Sequence, residues 1–188
     1  GLITMVIGAV IALFKHDLKA LLAFSTVSHL GLITMLLGTG TAFGAMAAVF
    51  HILNHATFKA ALFMSAGIID HGAHTRDIRR LGGLRKLMPV TFVIATLAAL
   101  SMAGIPLLNG FLSKEMMLEE AYHTTLFGAP WLVPALATFG SLFSAAYCFR
   151  LIGHVFFGPI RDDYPARPHD PSVGLWMPPA ILVVLVVV

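Results

Sequence analysis

The 188-residue chain is 58% hydrophobic and only 11% charged, whereas a soluble domain is roughly half apolar and a quarter charged. Together with a mean hydropathy of +0.88, this excludes an ordinary soluble domain and reads as an integral membrane protein. A single cysteine, Cys148, excludes an internal disulfide and a cysteine metal cluster.

Six apolar segments follow one another: 1–14, about 18–38, 42–69, 89–122, 131–157, and a last one beginning near 175. A complete helical span needs about 20 residues, so the first and last are incomplete. The fold expected is an all-α, polytopic transmembrane helix bundle of about six spans, a piece of a longer protein cut within a helix at both ends.

The second span opens in KHDLKALLAFSTVSHLG. Asp17 is placed to cap the helix, and Lys19 can extend its head toward the interface. Ser25, Thr26, Ser28 and His29 continue a polar trail deeper, although hydroxyls in such helices often bond only their own backbone.

In the third span, His51, His55 and Lys59 are four residues apart within AFGAMAAVFHILNHATFKAALFMSAGII. A four-residue step turns about 400°, so the three share one helix face, each about 6 Å further along the axis. Ionisable groups inside a membrane span are costly and read as functional by default. Histidine titrates near neutrality, and desolvation disfavours the charged form of a lysine, so such a column can pass protons. Water could bridge each gap, held by Asn54 and Thr57. The third span contains no carboxylate to neutralise Lys59.

The fourth stretch is too long for one straight helix, and GIPLLNG (104–110) interrupts it. Proline lacks an N–H and clashes with the preceding turn. Broken backbone at membrane depth is tolerated where protein or a wet cavity shields it, and marks ion sites in secondary transporters. Lys114 follows the break. Its neighbour Glu115 points about 100° away, and Glu119 and Glu120 lie toward the outer end as an exit mouth or interfacial pair. In the fifth span, Arg150 is close enough to a helix end to snorkel.

Threading these spans puts residues 15–17, 70–88 and 158–174 on one side. With their helix ends they hold nine basic residues (Lys15, Lys19, Arg76, Arg79, Arg80, Arg85, Lys86, Arg161 and Arg167), against none near 39–41 and 123–130. Basic loops face the cytoplasm, so the pI near 9.3 reflects topology rather than nucleic-acid binding. HILNH has metal spacing but lacks the HExxH glutamate and a third ligand, and no nucleotide loop or nucleophile elbow is present. Neither a cofactor nor a metal is expected.

The runs KHDLKALLAFSTVSHLGLI, FHILNHATFKAALFMSAG, RDIRRLGGLRKLMP and AGIPLLNGFLSKEMMLEEA resemble the antiporter-like subunits shared by respiratory complex I and the Mrp multisubunit cation/proton antiporters. The likeness covers nearly all of residues 1–174. Within the family, HDLKALLAFSTVSHLGL and PLLNGFLSKEM look most like the A subunit of the Mrp sodium/proton antiporters. The resemblance implies two inverted repeats, each with one broken helix. Residues 1–174 would be the second repeat and 175–188 the start of the next helix. It also implies that Lys19 stands between two half-channels, that His51, His55 and Lys59 form the central axis, and that Lys114 lies where the path turns outward.

The reading is the proton-translocating part of a monovalent cation (Na⁺)/H⁺ antiporter, a secondary transporter rather than an enzyme, in the plasma membrane beside partner subunits. Protons would pass Lys19, His51, His55, Lys59 and Lys114, with His29, Ser25, Thr26, Asn54, Glu115 and Glu119 as accessory groups. The alternative is a proton-pumping subunit of a redox-driven complex, such as complex I or a membrane-bound hydrogenase. A haem-binding bundle using His29 with His51 or His55, and a purely structural scaffold, are the rival classes.

Overall fold

The computed structural model describes residues 1–161, 164 and 167–187. Among these residues the helices are α1 (Leu2–Phe14), α2 (Leu18–Gly38), α3 (Ala42–Ala73), the single turn α4 (Leu84–Leu87), α5 (Pro89–Ala103), α6 (Asn109–His123), α7 (Leu132–Phe156) and α8 (Val173–Val184). They contain no β-strand, only isolated bridges. α2, α3 and α7 are long and apolar enough to cross a membrane, and α1, α5 and α8 are shorter apolar helices.

Local chemistry sets the helix ends. The Asp17 carboxylate accepts from Ala20 N at 2.8 Å and the Thr41 hydroxyl from Gly44 N at 2.8 Å, capping α2 and α3. Pro89 occupies the first turn of α5, where no N–H is needed. α5 stops at Gly104, whose φ of 86° belongs to the left-handed region that glycine enters without a Cβ penalty. The fourth apolar stretch is thus two helices, α5 and α6, separated by residues 104–108. α3 runs four residues past the expected end at 69 and takes Asp70 into the helix.

α3 is the central element, packed against α2, α5, α6 and α8, while α1 lies against α2 and α7. Leu21, Leu22, Phe58, Leu62, Met102 and Tyr147 are buried in the main core. Ile7, Leu30, Val49, Leu53, Leu142 and Ile181 are exposed on the outside. Helices that are apolar on both faces suit a surround of lipid or further helices rather than water.

The basic connections gather at one end of the bundle. Leu18 N donates to Arg76 O at 2.8 Å, Ile78 N to His16 O at 2.9 Å and Gly83 N to Phe157 O at 3.1 Å. Arg76 pairs with Asp17 at 3.2 Å, and Arg79 with Asp77 at 2.6 Å. Hydrogen bonds from Arg79 hold the Asp77 carboxyl down to about 2, so this loop pair is charged at any physiological pH. Of the third connection, residues 162–163 and 165–166 lie outside the described residues, as does Val188 at the end of the last span. At the opposite end, the Thr41 hydroxyl donates to Glu120 at 2.6 Å.

Arg150 corrects one expectation. Instead of extending toward the interface, its guanidinium donates to the carbonyls of Leu13 and of Lys15 (2.8 Å for the latter) and meets His16 Nδ1 at 2.7 Å. It closes the C-terminus of α1, where open carbonyls attract a cation.

Candidate functional site

Buried polar side chains converge from four helices. α2 supplies Ser25 and His29, α3 supplies His51, Asn54 and Lys59, α6 supplies Asn109, Ser113 and Lys114, and α7 supplies Ser144. The Tyr147 ring, fully buried in α7, brings its hydroxyl to the same place. In a bundle this apolar, each polar group must find a partner inside the protein.

At the centre, His29 Nδ1 and His51 Nε2 are 2.9 Å apart, with parallel stacked rings. One nitrogen carries the proton and the other accepts it, so each ring's tautomer is tied to its neighbour's. His51 Nδ1 meets the Ser113 hydroxyl at 3.0 Å. The His55 ring lies 5.3 Å from His29 and 6.1 Å from His51, centroid to centroid. Its Nε2 is buried without a hydrogen-bond partner.

The two deep lysines are held by oxygens of the protein. Lys59 Nζ donates to Leu22 O at 3.2 Å and to the Ser25 hydroxyl. Lys114 Nζ donates to Ala103 O at 3.1 Å and to Ser144 Oγ at 3.0 Å. The ion pairs found among the described residues are Lys19–Asp70, Arg76–Asp17 and Arg79–Asp77, so neither deep lysine has a carboxylate partner there. For Lys114 the break in the fourth stretch explains this. Ending α5 at Ala103 leaves its last carbonyls open, and the negative end of the helix dipole faces the ammonium.

Tyr147 joins the parts. Its hydroxyl donates to Ser144 Oγ at 3.0 Å and lies 3.4 Å from His29 Nε2. Lys114, Ser144, Tyr147, His29 and His51 therefore form one side-chain series. A void of about 10 Å³ lies beside it, lined by Ser28, His29, Lys114, Ser141 and Ser144 among others. That is on the order of one water molecule, and the buried Ser141 hydroxyl has no partner.

Asn109 braces the break. Its side chain accepts from Ser101 Oγ at 2.7 Å and donates to Leu185 O at 3.2 Å, while its carbonyl accepts from Asn54 Nδ2 at 3.0 Å. Broken backbone is thereby satisfied by α3, α5 and the end of α8.

Other expected residues sit elsewhere. Lys19 pairs with Asp70 at 2.7 Å, with both side chains partly exposed. Buried Leu18, Leu21, Leu22, Phe58 and Leu62 occupy the core in that part of the bundle, and no hydrogen bond joins Lys19 to the deep network among the described residues. Thr26 donates to Leu22 O of its own helix, at 2.9 Å, and has no other hydrogen-bond partner for its hydroxyl among the described residues. Glu115 and Glu119 are exposed on α6, whereas Glu120 is buried. Sequence reasoning missed Asp70, Ser113, Ser144 and Tyr147. A signal for the last two existed, since Ser141, Ser144, Tyr147 and Arg150 recur every third residue along the fifth span.

A second cavity, of about 610 Å³, opens between α3 and α8 beside His71, His74 and His169, apart from this network. No cluster of His, Cys, Asp or Glu able to hold a metal ion occurs among the described residues.

The model of the "NADH:quinone oxidoreductase/Mrp antiporter, TM" family matches residues 1–144. The chain belongs to this family. Among family relatives, the A/B component of a probable K⁺/H⁺ antiporter of Rhizobium meliloti (strain 1021) is 56% identical over 178 residues, covering 94% of this chain and 18% of the relative. The A1 component of a Na⁺/H⁺ antiporter of Staphylococcus aureus (strain JH9) is 43% identical, with 100% of this chain and 26% of the relative covered. In the structure of the Mrp complex from Dietzia sp. DQ12-45-1b, one polypeptide superposes with a TM-score of 0.85 at 38% identity, covering 99% of this chain and 20% of that one. The chain thus spans about a quarter or less of the length of these relatives, and it is a multi-pass membrane segment of the family.

Proposed function

We propose that this chain carries part of the proton path of a multisubunit monovalent cation/proton antiporter, with protons moving along a lysine and histidine axis in mid-membrane. The observation that carries the reading is the buried network itself. It holds two lysines that have no carboxylate partner among the described residues: Lys114 is joined through Ser144 and Tyr147 to His29 and His51, and Lys59 is bound to Ser25 one turn from His29 on α2, on elements that include a broken helix. A bundle built only for adhesion has no use for unpaired deep cations, which cost desolvation energy. Charge on one lysine raises the cost of charge on the other through Coulomb repulsion in a low dielectric, so that protons move in sequence.

Residues 1–174 act as the second inverted repeat, 175–188 begin the next helix, and the basic end faces the cytoplasm of the plasma membrane. Partner subunits and the rest of the chain complete the path. Sodium is the cation we favour, on the motif resemblance; the relatives' names include both Na⁺ and K⁺.

The test uses everted vesicles from antiporter-deficient bacteria that express the full-length complex, with the respiratory chain blocked and an imposed pH gradient. Sodium or potassium collapses the gradient, and Lys59→Ala or Lys114→Ala abolishes the collapse while the complex still assembles. Normal exchange in an assembled Lys59→Ala complex would sink the proposal. The family's name also joins the antiporters to NADH:quinone oxidoreductase. Absence of cation-driven collapse in an assembled wild-type complex would transfer the same path to a redox-driven pump.

A further inference from the structure

We propose that the Tyr147 hydroxyl, working with Ser144, is the proton junction between the His29–His51 pair and Lys114. This deepens the reading above and rests on it.

The helix faces leave few other direct routes. His51 also reaches α6 through Ser113 at 3.0 Å, but that hydroxyl donates to Gly110 O at 3.2 Å. Ser113 and Lys114 are chain neighbours whose side chains diverge by about 100° around the helix, and no hydrogen bond joins them among the described residues. Ser144 is different. It accepts from Lys114 Nζ at 3.0 Å and from Tyr147 at 3.0 Å, and it donates to Met102 O at 3.3 Å. Tyr147 then reaches His29 Nε2 at 3.4 Å, the longest gap in the series. An imidazole can close that gap by a small tilt, since the ring is held at its other nitrogen by His51.

The proton balance is simple. When Lys114 is neutral and His29 is an imidazolium, the Ser144 hydroxyl turns from Met102 O to the Lys114 lone pair. Ser144 gives its proton to Lys114 Nζ, Tyr147 gives its own to Ser144, and His29 Nε2–H replaces the one that Tyr147 lost. One N–H bond breaks, one forms, and each hydroxyl ends with one proton. The hydroxyls must then rotate back before the next transfer, which makes the junction passable in either direction but only one proton at a time. Neither oxygen ever carries a full negative charge if the transfers are concerted, which suits fully buried groups.

The adjacent void lined by His29, Lys114 and Ser141 offers a rival route, in which one water replaces both hydroxyls. Substitution separates the two. Tyr147→Phe keeps the ring and its packing but removes the relay oxygen, and Ser144→Ala cuts the link to Lys114 while leaving Tyr147 intact. Both are made in the full-length complex and assayed in everted vesicles for maximal rate, apparent KM for the cation, and the solvent deuterium isotope effect. The expected result is a fall in maximal rate of about a hundredfold, an unchanged KM and a larger isotope effect, with normal assembly. If Tyr147→Phe fails to assemble, Ser144→Ala decides on the same readouts. Wild-type exchange with normal rates in either assembled variant overturns the junction and leaves the antiporter reading standing. Absence of exchange in the wild-type complex overturns both.

Discussion

Lys114 illustrates how one residue depends on backbone that is not its own. Its ammonium sits on Ala103 O and the Ser144 hydroxyl, and its stem passes against Gly104, where a Cβ would approach Lys114 Cδ to 2.8 Å. Such a fit distinguishes lysine from arginine. A guanidinium is larger, remains charged at any accessible pH and offers its donors as a rigid fork. Lys114→Arg should therefore assemble yet exchange at about a hundredth of the wild-type rate or less, measured as cation-driven gradient collapse in vesicles. Near-normal exchange would mean that the residue acts as a fixed charge rather than as a proton carrier. Lys59, bound to Leu22 O and Ser25, follows the same logic in the middle of an unbroken helix.

The break between α5 and α6 sets the geometry around that lysine. Gly104 ends the first half-helix in the left-handed region. At Gly110, a Cβ would collide with the Ser101 carbonyl, because α6 starts directly against the last turn of α5. Ser101 Oγ also accepts from Gly110 N at 3.1 Å and donates to Asn109 at 2.7 Å. Gly110→Ala must push the half-helices apart, at a cost typical of overpacking, about 1–3 kcal/mol. The expected outcome is a lower midpoint for thermal dissociation of the purified complex, together with reduced exchange. A midpoint equal to wild type would show that the two halves can separate freely. The proline in this segment announced a break in the chain; which atoms satisfy the freed backbone was not visible there, since Asn54, Leu185 and Val186 all come from distant positions.

Taken together, the helices form a polarised bundle. The basic connections interlock at one end through 15–18, 76–83 and 157–161, and the opposite end has the Thr41–Glu120 contact. Arg80 and Phe127 are exposed at the two ends, whereas Cys148 is buried and should not react. An impermeant maleimide should label Arg80→Cys in everted vesicles and Phe127→Cys in intact cells of the full-length complex, each with little labelling from the other side. The reverse pattern would invert the proposed orientation.

The class of the molecule was legible in the chain. Long apolar runs admit only helices in a membrane, a proline between two glycines breaks one of them, and i,i+4 spacing aligns His51, His55 and Lys59, because these properties depend on neighbours a few residues away. The gathering of the basic loops followed from counting spans. Which polar groups meet was settled by packing. It seated Tyr147 and Ser144 between His29 and Lys114, turned Glu120 inward while leaving Glu115 and Glu119 exposed, and gave Lys19 to Asp70. Hydrogen bonds reach about 3 Å, so partners 30 to 118 positions apart are set by the rotation and height of each packed helix. No local pattern in the chain records those two quantities.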